Sequence, residues 1–320
     1  MSSATAIAHP NIALVKYWGK ANTEYNIPAT PSLSIALSAL TTETTVSEND
    51  SDQVVINGLL VADKKINLWL ERLRQEIELP SLTITSESNF PVSAGLASSA
   101  SGFAALTEAI SSAFDLGWDI KQKTDWARRG SASAARSVTG AWSTLVPLAS
   151  DHPTIDSCDT TQIHDESYWD LAVVVAITDD TPKLFSSTIG MELSRATSDY
   201  YSSWVSSTHR DFISALNAVA QKDFQTLAEI ADVSCRKMHA LMLSSTPAMM
   251  YWNSTTLDCI QAIKKLIAQK LPVFFTIDAG PQVKTICPPD LTDTVLERLA
   301  QVSGVKKLLQ SKIGGGARSI

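Results

Sequence analysis

The stretch that decides the fold reads Pro91-Val92-Ser93-Ala94-Gly95-Leu96-Ala97-Ser98-Ser99-Ala100-Ser101-Gly102. Most of its residues are small, so a ligand could approach the backbone with no side chain in between. It runs directly into residues 103–110, which predict a helix. Ser98, Ser99 and unpaired backbone N–H groups would then lie at a helix N-terminus, which favours an anion. The alternative interpretation is a small-residue turn in which a serine is an ordinary helix cap.

Size and composition limit the possible functions. The 320 residues allow two domains or one large one, and 44% hydrophobic and 18% charged residues are typical of a soluble globular protein. The net charge of −7 argues against a surface that binds nucleic acid. A polyanionic ligand would therefore be held by a local cationic pocket.

The cysteines and the start of the chain indicate a compartment. Cys158, Cys235, Cys259 and Cys287 are far apart, and with five scattered histidines they argue against a structural zinc site. They are typical of idle thiols in a reducing cytosol. The chain shows no secretory signal pattern, and no apolar run approaches the ~20 residues of a membrane span. We expect a soluble cytoplasmic protein with neither nucleic acid nor a membrane as partner.

Residue patterns predict a strand-rich first half. Strands are predicted over residues 4–8, 11–15, 32–37, 41–46 and 81–85. An amphipathic helix is predicted over 65–77. This mixture indicates an α+β organisation.

The apolar run at 171–177 predicts a central buried strand. We place a domain boundary shortly after it, near 182–188, which gives domains at 1–184 and 185–320. Beyond the boundary, apolar residues recur every three or four positions, as in helices that face a core. Between the last two helices, residues 273–281 predict a strand that ends in Asp278 and a sharp turn.

A second predicted helix entry is similar to the first. A helix over 124–129 leads into Gly130-Ser131-Ala132-Ser133-Ala134-Ala135-Arg136-Ser137. This segment again combines small residues with two serines. Arg136 lies about one helical turn after Ser131 and could lean toward the same pocket.

Together these features favour phosphoryl transfer. Backbone amides and lysines such as Lys16 and Lys20 would hold phosphates, Mg²⁺ would offset their charge, and a carboxylate would orient the acceptor hydroxyl. No Gly-Lys-Ser/Thr follows the glycine loop, so it is not a Walker A motif. No Gly-x-Gly-x-x-Gly follows the first strand, which disfavours a Rossmann dinucleotide site.

The glycine loop resembles the ATP-phosphate loop of the GHMP kinase superfamily. Within that superfamily, five segments in the same order are similar to the motifs of diphosphomevalonate decarboxylases. They are Asn11-Ile12-Ala13-Leu14-Val15-Lys16-Tyr17-Trp18-Gly19-Lys20, Asn89-Phe90-Pro91, Arg129-Gly130-Ser131-Ala132-Ser133-Ala134-Ala135-Arg136-Ser137, Ser186-Ser187-Thr188-Ile189-Gly190-Met191 and Asp278-Ala279-Gly280-Pro281.

The resemblance implies a GHMP kinase fold, with a ribosomal-protein-S5-like N-terminal domain, a ferredoxin-like C-terminal domain and the active cleft between them. It also implies the reaction. ATP and (R)-5-diphosphomevalonate would give isopentenyl diphosphate, ADP, phosphate and CO₂, by phosphorylation of the 3-hydroxyl followed by loss of phosphate and CO₂. Mg²⁺ would be held mainly through the ATP phosphates, with no dedicated metal ligands from the protein, and Ser98 and Ser99 would contact the ATP phosphates or the metal. Relatives are commonly dimers, so a homodimer is expected.

The resemblance also assigns three catalytic residues. Asp278 would orient or deprotonate the 3-hydroxyl, although an Asp can also stabilise the turn before Gly280-Pro281. Arg136 would pair bidentately with the substrate carboxylate, and its alternative role is a surface or interdomain ion pair. Lys16 would lie near the reacting groups.

The remaining predicted roles are in binding. Substrate would be bound by Tyr17, Lys20, Ser131, Ser133 and Ser187, together with Arg136. ATP would be bound by Gly95, Leu96, Ala97, Ser98 and Ser99. The competing interpretations are plain helix caps for the serines and a solvated charged turn at Lys16 and Lys20, with Tyr17 and Trp18 in the core.

Three departures from the family pattern leave alternatives open: Thr30-Pro31, Glu87-Ser88-Asn89 and Gln282. They could mark a relative that acts on the monophosphate. A phosphomevalonate decarboxylase, a mevalonate 3-kinase and a non-catalytic metabolite sensor on the same scaffold are the alternatives. A sensor is disfavoured because Asp278, Arg136, Ser131 and Lys20 are all present.

Overall fold

A computed structural model describes residues 2–91, 95–149, 157–181 and 184–320. Residues 92–94 of the glycine loop and 182–183 of the predicted boundary lie outside the described residues. The strands are β1 Ser3–Ala8, β2 Asn11–Val15, β3 Lys20–Asn22, β4 Ile27–Pro28, β5 Ser32–Ala36, β6 Thr42–Glu48, β7 Gln53–Ile56, β8 Leu59–Leu60, β9 Leu82–Ser88, β10 Trp142–Pro147, β11 Cys158–His164, β12 Ala172–Ile177, β13 Phe274–Thr276, β14 Val283–Cys287, β15 Lys307–Lys312 and β16 Arg318–Ser319. The helices are α1 Lys64–Arg74, α2 Ser98–Ala113, α3 Ile120–Gly130, α4 Ala134–Thr139, α5 Ser187–Thr197, α6 Tyr201–Ala220, α7 Phe224–Leu243, α8 Ser254–Ala268 and α9 Thr292–Ala300, with a 3₁₀ turn at Pro289–Leu291.

The described part of the first half builds two larger sheets, and β3 and β4 form a separate two-stranded sheet. A six-stranded sheet has the order β16-β1-β6-β9-β7-β8, and a four-stranded sheet has the order β11-β10-β5-β2. The predicted strands of this half are confirmed as β1, β2, β5, β6 and β9. Helix α2 packs on the six-stranded sheet, and its residues Phe103, Leu106 and Ile110 share a core with Val46 and Ile84. This packing places the start of α2 at the end of the sheet.

The second half builds a sheet of order β13-β14-β12-β15 under α7, α8 and α9. All six residues of β12 are buried and the strand lies between β14 and β15, which confirms the predicted central strand. Strand pairing therefore groups β12 with the second half, whereas β16 at the C-terminus pairs with β1. The division into 1–184 and 185–320 stays a prediction.

The two halves share a hydrophobic core. Leu14 of β2 and Leu33 of β5 belong to the same buried cluster as Phe212 of α6, Leu227 of α7 and Val175 of β12. This contact between the halves fixes the end of β2 against α7, where the first catalytic candidate follows.

The start of α2 differs from an ordinary serine cap. The residue before the helix is Ala97, which has a left-handed backbone (φ 54°, ψ 34°) and no capping side-chain hydrogen bond. Helix capping therefore does not account for the serines at this position. Among the residues that the structure describes, no helix combines the length and apolarity that a bilayer span requires.

Candidate active site

A cavity of about 560 Å³ collects the predicted site residues from both halves of the chain. The predicted residues that line it are Lys16, Tyr17, Lys20, Gly95, Ala97, Ser98, Ser99, Ser131, Ser133, Arg136, Ser187 and Asp278. Residues distant in sequence are thus assembled into one concave surface, which is the usual form of a small-molecule site.

Leu96 is the exception among the predicted residues. Its side chain is only 3% exposed and packs in the shared core with residues such as Phe90. A large aliphatic side chain in a polar loop anchors that loop to the core. Burial of the side chain leaves the backbone of Leu96 for contact with a ligand, and the assignment of this residue to the ATP loop stays a prediction.

Asp278 forms the centre of the charge arrangement. Its Oδ1 atom accepts a hydrogen bond from Lys16 Nζ at 2.6 Å, and its Oδ2 atom lies 3.4 Å from Lys284 Nζ. Lys16 also donates to the Ala13 carbonyl at 2.7 Å and is fully buried. The Asp278 side chain is 24% exposed, so the carboxylate remains accessible from the cavity.

Opposing influences set the pKa of Asp278. Burial, the largest single influence, raises the pKa, but the adjacent charges and hydrogen bonds of Lys16 and Lys284 together outweigh it and lower the pKa to about 2. The carboxylate is therefore ionised throughout the physiological range. It is a strong orienting acceptor and a weak base.

Among the described residues, the hydrogen-bond partners of Arg136 are all neutral. Its Nε donates to Ser34 Oγ at 2.9 Å, its Nη1 donates to Ser32 Oγ at 2.5 Å, and its Nη2 donates to Asn11 Oδ1 at 3.1 Å. The residue is 2% exposed, and burial lowers its pKa to about 10, partly opposed by the charge of Asp278. A buried guanidinium in such surroundings gains by receiving an anion.

The lining of the cavity has a strong excess of positive charge. Its cationic residues are Lys16, Lys20, Lys65, Arg72, Arg129 and Arg136. Among the described lining residues Asp278 is the only acidic one. Because the chain as a whole carries −7, the charge is local, as the sequence predicted. Such a cavity favours polyanions such as nucleotides and diphosphates.

Tyr17 and Lys20 follow β2 and both line the cavity. The Tyr17 hydroxyl is buried with no hydrogen-bond partner in the part of the chain that the structure describes, and burial raises its pKa. Burial and the neighbouring Lys65 lower the pKa of Lys20 to about 8, while Glu192 opposes this shift. Trp18 between them is buried, in agreement with the core interpretation of that residue.

The serines connect the two helix entries. Ser99 Oγ lies 3.4 Å from Ser131 Oγ, which lies 3.4 Å from Ser133 Oγ. This row of hydroxyls runs from the start of α2 to the start of α4. Ser187 enters the cavity from the first turn of α5. The arrangement could contact a phosphate chain and a second anionic ligand together.

Sequence reasoning missed the residues that support this site. Asn11 accepts from Arg136 and also donates to the Ser133 carbonyl at 2.9 Å, so it links two predicted residues. Ser32 and Ser34 are alternate residues of a fully buried strand. Two serines on one face of such a strand are a signal for a buried polar partner. Lys284 carried no such signal.

The departures from the family pattern lie outside the cavity lining. Gln282 is fully buried and its Oε1 accepts from the Thr178 backbone N–H at 2.7 Å. The Oδ1 atom of Asn89 accepts a hydrogen bond from the Thr41 backbone N–H at 2.9 Å. Thr30 is fully buried between β4 and β5. None of these contacts alters the described wall of the site.

Comparison with known proteins identifies the family to which this chain belongs. The diphosphomevalonate decarboxylase-like N-terminal domain matches residues 8–154, and the mevalonate 5-diphosphate decarboxylase C-terminal domain matches residues 173–317. The diphosphomevalonate decarboxylase of Candida albicans is 33% identical over 99% of this chain and 97% of its own length. The chain belongs to the diphosphomevalonate decarboxylase family.

Two further relatives refine the comparison. A solved structure of MDDEF in complex with MVAPP, AMPPCP and magnesium has a TM-score of 0.92 and 33% identity, covering 99% of this chain and 98% of that one. This likeness confirms the predicted α+β GHMP kinase fold. The phosphomevalonate decarboxylase of Haloferax volcanii is 32% identical over 93% of this chain and 92% of its own length.

The donor set of the cavity suits a hard cation held with phosphates. Near the start of α2 it offers the hydroxyls of Ser98 and Ser99 and the carboxylate of Asp278, all oxygen donors of the kind Mg²⁺ prefers. Among the described residues, no group of three or more His, Cys, Asp or Glu side chains forms a metal site. Mg²⁺ usually takes only one or two protein ligands beside substrate phosphates, so these residues fit it.

Proposed function

We propose that this protein converts (R)-5-diphosphomevalonate and ATP to isopentenyl diphosphate, ADP, phosphate and CO₂, in the mevalonate pathway of isoprenoid biosynthesis. One observation carries the proposal: the ionised Asp278 carboxylate and the buried Arg136 guanidinium line the same cationic cavity as the start of α2. Family membership and the Mg²⁺-compatible donor set support it. Cytoplasmic location and a homodimer belong to the same proposal as predictions.

Asp278 would orient the 3-hydroxyl. With a pKa of about 2, the carboxylate accepts a strong hydrogen bond but takes up a proton only late in the transfer. This suits phosphoryl transfer, whose loose transition state demands positioning more than early deprotonation. Lys16, hydrogen-bonded to Asp278, would hold the carboxylate in place and offset negative charge near the reacting oxygens.

Arg136 would hold the substrate carboxylate. Its remaining N–H groups can form a bidentate pair while Asn11, Ser32 and Ser34 fix the guanidinium plane. Phosphorylation of the 3-hydroxyl creates a leaving group. As phosphate departs, the bond between the carboxylate carbon and the neighbouring carbon breaks and releases CO₂. The electron pair of that bond forms the new double bond.

The remaining predicted residues would bind the two phosphate chains. Tyr17, Lys20, Ser131, Ser133 and Ser187 would hold the substrate. The backbone from Gly95 to Ala97 and the hydroxyls of Ser98 and Ser99 would hold the ATP phosphates at the start of α2. Mg²⁺ bound with ATP would be contacted by these hydroxyls and would neutralise charge on the phosphates.

A phosphomevalonate decarboxylase is the second candidate, because a relative with that activity covers 93% of this chain. The excess of lining cations favours the more highly charged diphosphate. A substrate panel separates the candidates: mevalonate, its 5-phosphate and its 5-diphosphate are each supplied with ATP and Mg²⁺, and kcat/KM and products are measured. We expect the diphosphate to be preferred and isopentenyl diphosphate to form.

The other outcomes of the panel have distinct meanings. Preference for the 5-phosphate identifies a phosphomevalonate decarboxylase. ADP formation without CO₂ identifies a 3-kinase. Tight binding of a substrate with no turnover identifies a metabolite sensor. Each of these results contradicts the proposal.

A further inference from the structure

Lys284 is a buried lysine whose contacts lie outside the roles assigned above. It is the second residue of β14, whose five residues are all buried, and it is itself 0% exposed. Its Nζ atom lies 3.4 Å from Asp278 Oδ2 and donates to the Gly95 carbonyl at 3.1 Å. One side chain thus contacts both the candidate catalytic carboxylate and Gly95 of the phosphate loop.

The two contacted segments also touch each other. Gly95 has φ +81°, and a Cβ atom added to it would lie 2.6 Å from the Cα atom of Gly280. The phosphate loop therefore packs directly on the turn that follows Asp278. Lys284 reaches this junction from β14 and holds both sides of it.

Stability alone gives no reason for a lysine at this position. Its neighbours in the strand include Val283 and Ile286, and an apolar side chain would be buried there at lower cost. Burial, reinforced by the charge of Lys16, lowers the pKa of Lys284. Asp278 already has one close cation in Lys16, so the second lysine is unnecessary for pairing that charge.

The charged and titratable groups around Asp278 determine how the loss of Lys284 would affect its carboxylate. The charged or titratable neighbours are Lys16 after β2, Arg136 on α4, Lys284 on β14 and, on α7, Cys235 and His239. Burial raises the pKa of Cys235 and lowers that of His239, so both are neutral near pH 7. Loss of Lys284 would therefore leave the carboxylate with one direct cation instead of two.

We propose that Lys284 is a positioning residue that couples the ATP-phosphate loop to the catalytic carboxylate. By holding Oδ2 of Asp278 it fixes the rotation of the carboxylate whose other oxygen is held by Lys16. By holding the Gly95 carbonyl it sets the distance between that carboxylate and the bound phosphates. The inference deepens the proposed function and rests on it for the catalytic role of Asp278.

The test replaces Lys284 with methionine, which has a similar length and suits a buried strand. For Lys284→Met we expect kcat to fall on the order of 10- to 100-fold, as for residues that orient catalytic ligands. The KM for ATP should rise by at least about fivefold, while the KM for the phosphorylated acid stays within about twofold. When the pH is lowered, Lys284→Met should lose activity at a higher pH than the unmodified protein does, because the pKa of Asp278 rises.

Two further variants interpret the result. Thr285→Val changes the next fully buried residue of the same strand and should leave all these parameters unchanged, because the Thr285 hydroxyl has no hydrogen-bond partner among the described residues. Lys284→Arg keeps the charge and should recover most of the ATP affinity and the acid limb of the pH profile. If Lys284→Met does not fold, Lys284→Gln, which keeps a polar head, replaces it with the same expectations.

The proposal is overturned if folded Lys284→Met keeps the ATP KM and the pH profile. It is equally overturned if Lys284→Arg is as impaired as Lys284→Met. Failure of the proposed function is recognised separately, because it shows in the products of the unmodified protein. Binding of a fluorescent ATP analogue tests the Gly95 contact whichever phosphorylated acid is the substrate, and unchanged affinity in Lys284→Met contradicts the coupling.

Discussion

The side-chain nitrogen of Lys16 lies 2.6 Å from Oδ1 of Asp278, although 262 positions separate the two residues. The contact joins the end of β2 to the turn after β13, and so it closes the cavity between the two halves. It also determines the chemistry, because Lys16 and Lys284 keep Asp278 ionised. The following predictions depend on this arrangement.

Replacing Asp278 with asparagine should remove most turnover and leave ATP binding nearly intact. The orienting charge is lost, while the start of α2 is unchanged. We expect kcat to fall by at least 100-fold, or about 2.7 kcal/mol of barrier. Because two buried lysines lose their counter-ion, the free energy of unfolding should also fall by about 1–3 kcal/mol. Single-turnover kinetics and thermal melting measure both; a loss below about tenfold would exclude Asp278 as the catalytic carboxylate.

Replacing Arg136 with lysine should be nearly as damaging as replacing it with alanine. A single ammonium cannot contact Asn11, Ser32 and Ser34 and also form a bidentate pair with a carboxylate. Both variants should lose on the order of 100-fold in kcat/KM. Arg236→Lys, at an exposed pair with Asp232 on α7, is the matched control and should behave as the unmodified protein. Near-normal activity of Arg136→Lys would show that charge alone suffices.

Substrate binding should weaken at alkaline pH because of Lys20. Its pKa of about 8 means that the free site loses this charge above pH 8, and a bound diphosphate would raise the pKa again. Above pH 8, substrate binding therefore takes up a proton. The KM for the substrate should rise above this pH, by up to about tenfold per pH unit where deprotonation of Lys20 controls binding. Lys20→Arg should flatten this rise, since arginine stays protonated. A KM that is independent of pH from 7 to 9.5 in the unmodified protein would contradict the assignment.

Replacing Gly95 with alanine should disturb ATP binding more than substrate binding. The new Cβ atom would lie 2.6 Å from Gly280 Cα, at a backbone position with φ +81°. The phosphate loop must move, and KM for ATP should rise by at least about tenfold. Gly58→Ala is a matched control, because Gly58 has φ +77° but no atom within 4 Å of the added Cβ. That control should lose only about 1 kcal/mol of stability, and equal effects on ATP from both variants would contradict a specific clash.

Much of the fold and the site could be predicted because local patterns agree with the final structure. The alternating strands of the first half, the apolar run of β12 and the small residues before α2 all specify their own conformations. The cationic pocket could be predicted because the chain has a net negative charge, so a polyanion at the phosphate loop needs cationic residues close to it. The positions of Asp278 and Arg136 on one cavity came from the family resemblance and not from residue spacing.

The rest could not be predicted because it depends on contacts between distant segments. Strand β16 pairs with β1 across the whole chain, and no local pattern shows this. In β14, Lys284 and Thr285 are adjacent polar residues between Val283 and Ile286, and nothing in this pattern predicts that the lysine is buried. Only the tertiary structure places Gly95 and Asp278 opposite it. The burial of the Leu96 side chain depends in the same way on core neighbours from elsewhere in the fold.

The most direct measurement follows the fate of the substrate carboxylate. (R)-5-Diphosphomevalonate labelled with ¹³C at that carboxylate is mixed with ATP, Mg²⁺ and the protein, and the products are followed by NMR with parallel assays of ADP and phosphate. The predicted result is labelled CO₂, phosphate and ADP in equal amounts, with isopentenyl diphosphate as the organic product and release of labelled CO₂ at least about 100-fold slower in Asp278→Asn. ADP that accumulates while the label stays in a phosphorylated acid would contradict the account.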